Sequence, residues 1–280
     1  MLYRDRLPAA FVRDGFARLD GFLGRSEVAD VQAAVDALAT STPACTCSRP
    51  HNTLLPLRWT DSAVRLILAS RRRMLALAGA VGADDLKWIS GYISIKEANS
   101  PPLWWHQDWW CWDHAVSFEW HAPQIAVLCY LQATDEHNGA LRVLPGSHHR
   151  SSAIHCHLPE PHGSGTEALE PGHVAMRDHP KQVTLRMAVG DAVAIDYRLL
   201  HGTHANARDV RRDCVLLSFT PCWRELPEDI RGHLIEHCAL PTAAEQLPDA
   251  LWAIQMLPRF CGTRKNLPVN RMAPAQFEIK

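Results

Sequence analysis

Residues 182–220 read QVTLRMAVGDAVAIDYRLLHGTHANARDVRRDCVLLSFT. Three apolar runs, QVTLRM, AVAIDY and CVLLSFT, are separated by a Gly190-Asp191 turn and by a polar stretch, the pattern of short strands joined by turns. The pattern extends upstream through WISGYISIKE (88–97), IAVLCYLQAT (125–134) and ALRVLPGS (140–147), the last closing on a Pro-Gly turn. Helical spacing appears outside this region. SEVADVQAAVDALA (26–39) carries Val28, Val31, Val35 and Leu38 on one face with Ser26 as N-cap, and a second helix is predicted from about Asp61 to Leu77. A Pro-rich, Cys-containing loop joins the two, and AAEQLPDALWAIQM (243–256) predicts a further helix before an irregular end. Many strands flanked by helices predict a mainly β domain, a sandwich or barrel. We expect one domain over 1–280, with a helical region to about 85, a barrel core over about 86–222 and a helical extension over about 223–280.

The chain has 280 residues, with 29 Lys and Arg against 30 Asp and Glu. Its one tight basic cluster is Arg71, Arg72 and Arg73, too little to neutralise a run of phosphates, which excludes nucleic acid as the expected partner. The N-terminal residues are interrupted by charges, so no signal peptide is expected, and no run is apolar enough to span a membrane. Nine scattered Cys, an odd number in a large chain, predict free thiols and a cytoplasmic protein. Cys45, Cys47 and His51 form a Cys-x-Cys…His group that lacks a fourth zinc ligand at a familiar spacing and is read as a loop.

The excess lies in His and Trp, with 16 and 10 copies. Six of the Trp fall between 104 and 120, around LWWHQDWWCWD (103–113). There His106 and Asp108 stand two apart, so on a strand they share a face and can ligate one metal. A second His, His201, follows the apolar strand AVAIDY. Two His and one carboxylate with the other positions open is the arrangement of non-haem Fe(II) oxygen chemistry. An iron site driven by a 2-oxo acid must also hold that acid's far carboxylate, which calls for a buried cation with a hydrogen-bonding fork. Arg212, eleven residues after His201, enters the strand CVLLSFT and suits this. Arg211 is its rival and points oppositely by strand alternation; Arg212 is preferred.

FVRDGFARLDGFLGRSEVADVQAAVDAL (11–38), WWHQDWW (104–110), NGALRVLPGSHHRS (138–151) and LLHGTHANARDVRR (199–212) resemble the phytanoyl-CoA dioxygenase family of Fe(II)/2-oxoglutarate-dependent oxygenases over nearly the whole chain. The resemblance implies a double-stranded β-helix, a jelly-roll or cupin-like barrel with helices outside. It makes His106, Asp108 and His201 the iron ligands, Arg212 the 2-oxoglutarate anchor and Thr203 a hydroxyl donor to the same co-substrate, with Lys96 and Tyr130 as further contacts. Fe(II), 2-oxoglutarate and O2 are the implied cofactors, with release of succinate and CO2. Halogenating relatives lack the ligand carboxylate, so Asp108 favours hydroxylation or another oxidation over halogenation. Where the family commonly has Ser-Gly after His-Gly, this chain has Thr203-His204, and His204 is open between a substrate contact and other roles.

Other conspicuous residues have simpler readings. Pro145 to His149 is a structural turn, 150–181 is a loop between strands that could cover the substrate, and His233 and His237 sit on a helix surface. Trp110 first, then Trp112 and Trp109, are expected to wall the substrate pocket, and Arg198 is a candidate to face the substrate. The expected substrate is a small metabolite or natural product with an apolar face, hydroxylated at an unactivated C–H. The alternatives are a barrel using a redox-inert metal as hydrolase or isomerase, and a metabolite-binding module on the same fold.

Overall fold

Strand IAVLCY is apolar without a break because both of its faces are buried. In the computed structural model, which describes residues 8–42, 52–161, 169–170, 172–238, 240–241 and 252–279, Ile125, Val127 and Cys129 join one apolar cluster while Ala126, Leu128 and Tyr130 join another. A strand covered on both sides loses the polar alternation of a solvated one. The first cluster lies between the sheet and helices; the second fills the interior of a barrel.

The helices are α1 (Ala9–Asp14), α2 (Arg25–Ser41), α3 (Ser62–Leu68), α4 (Arg71–Val81) and α5 (Glu228–His237). The strands are β1 (Phe16–Leu19), β2 (Thr53–Leu57), β3 (Lys87–Lys96), β4 (Leu103–His106), β5 (Ile125–Tyr130), β6 (Leu141–Val143), β7 (Val183–Leu185), β8 (Ala192–Asp196), β9 (His201–Thr203) and β10 (Arg212–Thr220). Among the described residues they form two antiparallel sheets, in the orders β1-β8-β5-β10-β3-β2 and β4-β9-β6-β7. This is the expected double-stranded β-helix. No helix of the described residues is long and apolar enough to cross a membrane.

Helices α2, α3 and α4 cover the outside of the six-stranded sheet with Val31, Val35, Val64, Ile67, Met74 and Leu77. The N-cap of α2 is Gly24, two residues before the expected Ser26, because the Glu27 carboxylate accepts from Gly24 N–H at 2.8 Å and also pairs with the buried Arg73. The helix expected over 61–77 is two helices, since Ser70 accepts from Arg73 N–H and caps a new one. The N-terminal region is also less purely helical than expected, as β1 and β2 form the two outer strands of the larger sheet. Of the C-terminal helix expected over 243–256, residues 252–256 lie in the description and contain a short 3-10 turn at Ala253–Met256. Beyond it the chain runs back across the barrel, bonding Asn270 N–H to Trp110 O at 2.8 Å and Ile279 N–H to His149 O at 2.8 Å.

The turn between β8 and β9 is tied down from below. Arg198, a candidate substrate contact by sequence, is fully buried and donates to both oxygens of buried Asp196 and to the carbonyls of Ser117, Glu119 and His121. Its five donors are spent on the fold, so it does not face a substrate. The Pro145–His149 turn serves the same region: Ser147 Oγ accepts from Leu200 N–H at 2.9 Å, and His148 Nε2 bonds Val12 O at 3.0 Å. Arg198→Ala should leave the Asp196 carboxylate buried and uncompensated and cost about 3–5 kcal/mol in urea unfolding. Arg186→Ala, which breaks an exposed pair with Glu136, should cost less than about 1 kcal/mol in the same measurement.

Candidate metal centre

β4 and β9 pair antiparallel with His106 directly opposite His201, and the two imidazoles lie 4.2 Å apart between ring centroids. Each ring's Nδ1 meets a carbonyl, Trp104 O for His106 and Leu199 O for His201, both at 2.9 Å. A carbonyl only accepts, so each Nδ1 carries the proton and each Nε2 presents its lone pair. The two Nε2 atoms face Asp108, at 3.7 Å from Oδ1 and 3.5 Å from Oδ2 respectively. One ligand atom from each of the three residues falls within 4.8 Å of the others.

Asp108 reaches this position without a strand beneath it. β4 stops at His106, and the Tyr197 carbonyl then takes the N–H of both Asp108 and Trp109 at 2.9 Å, while the Gln107 amide donates to Arg198 O. The turn that delivers His201 therefore also places the carboxylate. Burial opposes a charge on the His201 imidazole, and the Asp108 carboxylate with the Leu199 carbonyl outweighs it, so its pKa is raised. The three side chains stabilise positive charge at one point. Two neutral imidazole nitrogens and one carboxylate fit a divalent first-row metal with further positions open.

A second polar group lies along β3, β9 and β10. Alternation on β10 sends Val215 and Leu217 to the helices and Cys214 to the barrel interior, so Arg212 is interior as well. Arg211 is half-exposed and pairs with Asp36 and Asp213. Arg212 donates from Nη2 to Gly139 O at 2.9 Å and lies 5.7 Å from the Tyr130 ring centre. Lys96 is its cross-strand neighbour on β3, fully buried, its ammonium bonded to Pro101 O. Gly139, at φ 80°, lets the two long side chains pass: a Cβ there would lie 2.8 Å from Lys96 Cγ. Two buried donors nearby, Arg212 Nε and the Thr203 hydroxyl, have no hydrogen-bond partner among the described residues. Buried donors are rarely left unmatched. No described carboxylate lies within 4 Å of Arg212, so this group fits an acidic ligand.

A cavity of about 480 Å³ opens beside Asp108. Trp110 lines it, with its ring on His233 at 4.0 Å and its indole N–H on Gln124. Trp109 and Trp112 do not line it. Trp109 is buried against Ser117, and Trp112 packs between Phe118 and Phe277. The alternation that assigned them presumed a strand running past His106, where the chain is irregular. His204 points away too, its Nε2 2.8 Å from Thr184 Oγ1 on β7.

Sequence reading missed the far wall of the cavity. His233, expected on a helix surface, is buried and lines it together with His237, Asn266 and Arg271. Burial and neighbouring His237 push the His233 imidazole down to about 4, and its Nδ1 accepts from Leu267 N–H. The i, i+4 spacing marked the helical face; nothing local said that a segment thirty residues later would cover it. The loop over 150–181 is described except for 162–168 and 171. Its Ala175–Arg177 stretch bonds Trp105 along the edge of β4, away from the cavity lining. Cys45, Cys47 and His51 lie outside the described residues.

A family profile, phytanoyl-CoA dioxygenase (PhyH), matches residues 11–214. Among curated proteins the chain is 27% identical over 144 residues to a probable alpha-ketoglutarate-dependent hypophosphite dioxygenase of Stutzerimonas stutzeri. That match covers 49% of this chain and 46% of the relative, so the chain spans about half the length of its curated relative. Solved structures share the fold. HygX from Streptomyces hygroscopicus, with nickel and 2-oxoglutarate bound, gives a TM-score of 0.56 at 21% identity over 79% of this chain and 88% of that one. The epimerase SnoN from nogalamycin biosynthesis gives 0.54 at 23%, over 77% and 80%. EctD from S. alaskensis, with 2-oxoglutarate and 5-hydroxyectoine, gives 0.53 at 20%, over 79% and 76%.

Two outcomes follow from the geometry. A methyl group on Gly202 would lie 2.7 Å from Leu103 O and 2.9 Å from Trp104 O, forcing β9 away from β4. Gly202→Ala should therefore weaken Fe(II) or Co(II) binding by about tenfold or more, read by metal titration. Burial first, then Arg212 and Arg142, push the Lys96 ammonium down to about 7. An unfolded chain keeps that proton to about pH 10.4, so the unfolded state binds more protons between the two values and stability contributed here rises with pH from about 7 to 10. Lys96→Met should flatten that rise in urea unfolding measured across this range.

Proposed function

The chain belongs to the phytanoyl-CoA dioxygenase family, and from that premise we propose that it is an Fe(II)/2-oxoglutarate-dependent oxygenase that hydroxylates an unactivated C–H of a small molecule. The observation that carries this reading is the convergence of His106, Asp108 and His201 on one point beside a cavity, with the unmatched buried donors of Arg212 on β10 and Thr203 on β9. The described cysteines are free thiols, which supports a reducing, cytoplasmic setting.

His106 and His201 would hold Fe(II) through Nε2 and Asp108 through a carboxylate oxygen. Bound there with 2-oxoglutarate, the iron supplies O2 activation, coupled to oxidation of the co-substrate to succinate and CO2. The chain's own groups provide orientation, dryness and charge. Arg212 receives the distal carboxylate of 2-oxoglutarate, with the Thr203 hydroxyl donating to the same co-substrate and Tyr130 lying beneath the guanidinium. The charges close: Fe(II) with Asp108 is +1, the dianion brings this to −1, and Arg212 restores zero. Lys96 would upset that balance as a full cation, and a pKa near 7 lets it give up its proton. Trp110 and the apolar residues around it exclude water from the reacting carbon.

Succinate formation that depends on Fe(II), O2 and 2-oxoglutarate, and that is stimulated by a substrate found in a metabolite screen, is the expected result. His106→Ala and Asp108→Ala should abolish it with the fold retained. Arg212→Gln should raise KM for 2-oxoglutarate roughly 10- to 150-fold, for loss of about 1.5–3 kcal/mol of charged hydrogen bonding, while Arg211→Ala leaves it unchanged. Conversion that needs metal but neither O2 nor 2-oxoglutarate would replace this reading with a redox-inert hydrolase or isomerase.

A further inference from the structure

We propose that the cavity beside Asp108 is built for a small molecule with one acidic group, received by Arg271, and an apolar body held against Leu54, Ile89 and Leu216. The proposal rests on the oxygenase reading only in calling this ligand the substrate; the binding site itself stands on the cavity.

Arg271 comes from the segment that runs back across the barrel. Its neighbour Asn270 is pinned by three bonds: its N–H to Trp110 O at 2.8 Å, its carbonyl from Trp112 N–H at 3.1 Å, and its amide to Asp113 at 2.7 Å. The origin of the Arg271 side chain is thus fixed relative to the metal centre. Its Nη1 donates to the main-chain oxygen of Asp108 at 3.1 Å. That uses one of five guanidinium donors, and no described carboxylate lies within 4 Å of the rest.

The remaining lining decides the sign of the ligand. Among the described lining residues Asp108 is the one acidic side chain, and it belongs to the candidate metal centre. Burial pushes the His233 imidazole down to about 4, His237 Nε2 bonds Asn266 Oδ1 at 3.0 Å, and among the described lining residues Arg271 is the one Arg and there is no Lys, so Arg271 is the permanent cation there. A half-buried guanidinium lining a cavity open on one side favours a carboxylate, phosphonate or phosphate monoester, which its planar fork can bind with two parallel bonds. A single guanidinium and a volume of about 480 Å³, within the usual range for small-ligand sites, do not suit a polyphosphate carrier such as an acyl-CoA. Leu54, Ile89 and Leu216 supply an apolar wall for the rest of the molecule.

The test is equilibrium binding to the full chain loaded with Fe(II) and 2-oxoglutarate under argon, which keeps the Arg212 pocket filled. The probes are 3-phenylpropanoate and its neutral amide, and phenylphosphonate and its neutral diethyl ester, read by calorimetry. Each acid should bind at least about tenfold tighter than its neutral partner. Arg271→Gln should erase that preference, Arg271→Lys should keep part of it, and 2-oxoglutarate binding should be retained in both. Acids bound no better than their neutral partners, no binding by either, or a preference that survives Arg271→Gln would overturn the proposal. Failure of the oxygenase reading looks different: 2-oxoglutarate would not bind and no succinate would form, while the same probes on metal-free protein would still report the Arg271 preference.

Discussion

β9 passes so close beneath β4 that position 202 has no room for a side chain. A Cβ there would meet two carbonyl oxygens of the opposite strand and, at 3.3 Å, the Nε of Arg142 from the strand on the other side. This approach puts His201 opposite His106, and the local chain does the rest. The carbonyl two residues before each imidazole fixes its tautomer, and the Tyr197 carbonyl, two residues before Leu199 on the same turn, seats Asp108. All three candidate ligands thus hang from one strand pair and one turn. Misplacing either would move every ligand at once, which is why that turn is so heavily anchored, with Arg198 spending every donor on it. Burying Arg198 and Asp196 together is expensive, and what it secures is position.

Three long cationic side chains, Arg142 on β6, Lys96 on β3 and Arg212 on β10, are buried. Arg212 and Lys96 are neighbours across β10 and β3, both buried, with Arg142 close enough to depress Lys96 further. A buried cation without a counter-charge is tolerated where it loses its proton or meets an anion from outside. For Lys96, burial and the two guanidinium groups favour the neutral form, pushing its ammonium down to about 7. Arg212 has no such course, because a guanidinium does not deprotonate in a protein. The unmatched Arg212 Nε and Thr203 hydroxyl then read as donors kept for a ligand.

How much of this was legible in the sequence follows from what covers each element. β5, β8 and β10 stood out because burial on two faces leaves near-continuous apolar runs, and β3 because its Trp, Tyr and Ile residues alternate or cluster among small polar ones. β2 did not, since Pro56 argues against a strand; it is tolerated because β2 is an outer strand whose missing N–H faces no partner. β1 is four residues long and includes the half-exposed Arg18, too short for a periodic signal. The His-x-Asp pair was read as a strand face and converges for a different reason, so the same rule that reached Asp108 misplaced Trp112 four residues on. Arg212 against Arg211 was decided by parity alone, and the structure puts them on the faces that parity assigns.

The unread part of the site is the part built from long-range contacts. His233 and Arg271 lie far apart in the chain; Arg271 meets the cavity beside Asn270, which is bonded to Trp110 and Trp112, and His233 meets it by stacking on Trp110. The Trp cluster therefore has two functions where one was expected. Trp110 walls the cavity, while the main chain around it docks the segment that brings Arg271 to the cavity beside Asp108. This separates the duties of the fold. His106, His201 and Arg212 sit on barrel strands and Asp108 just past one, all inside the segment matched by the family profile. The residues facing the ligand's other end come from α5 and the returning segment, beyond residue 214, where they can change without disturbing the strand pair on which the metal centre depends.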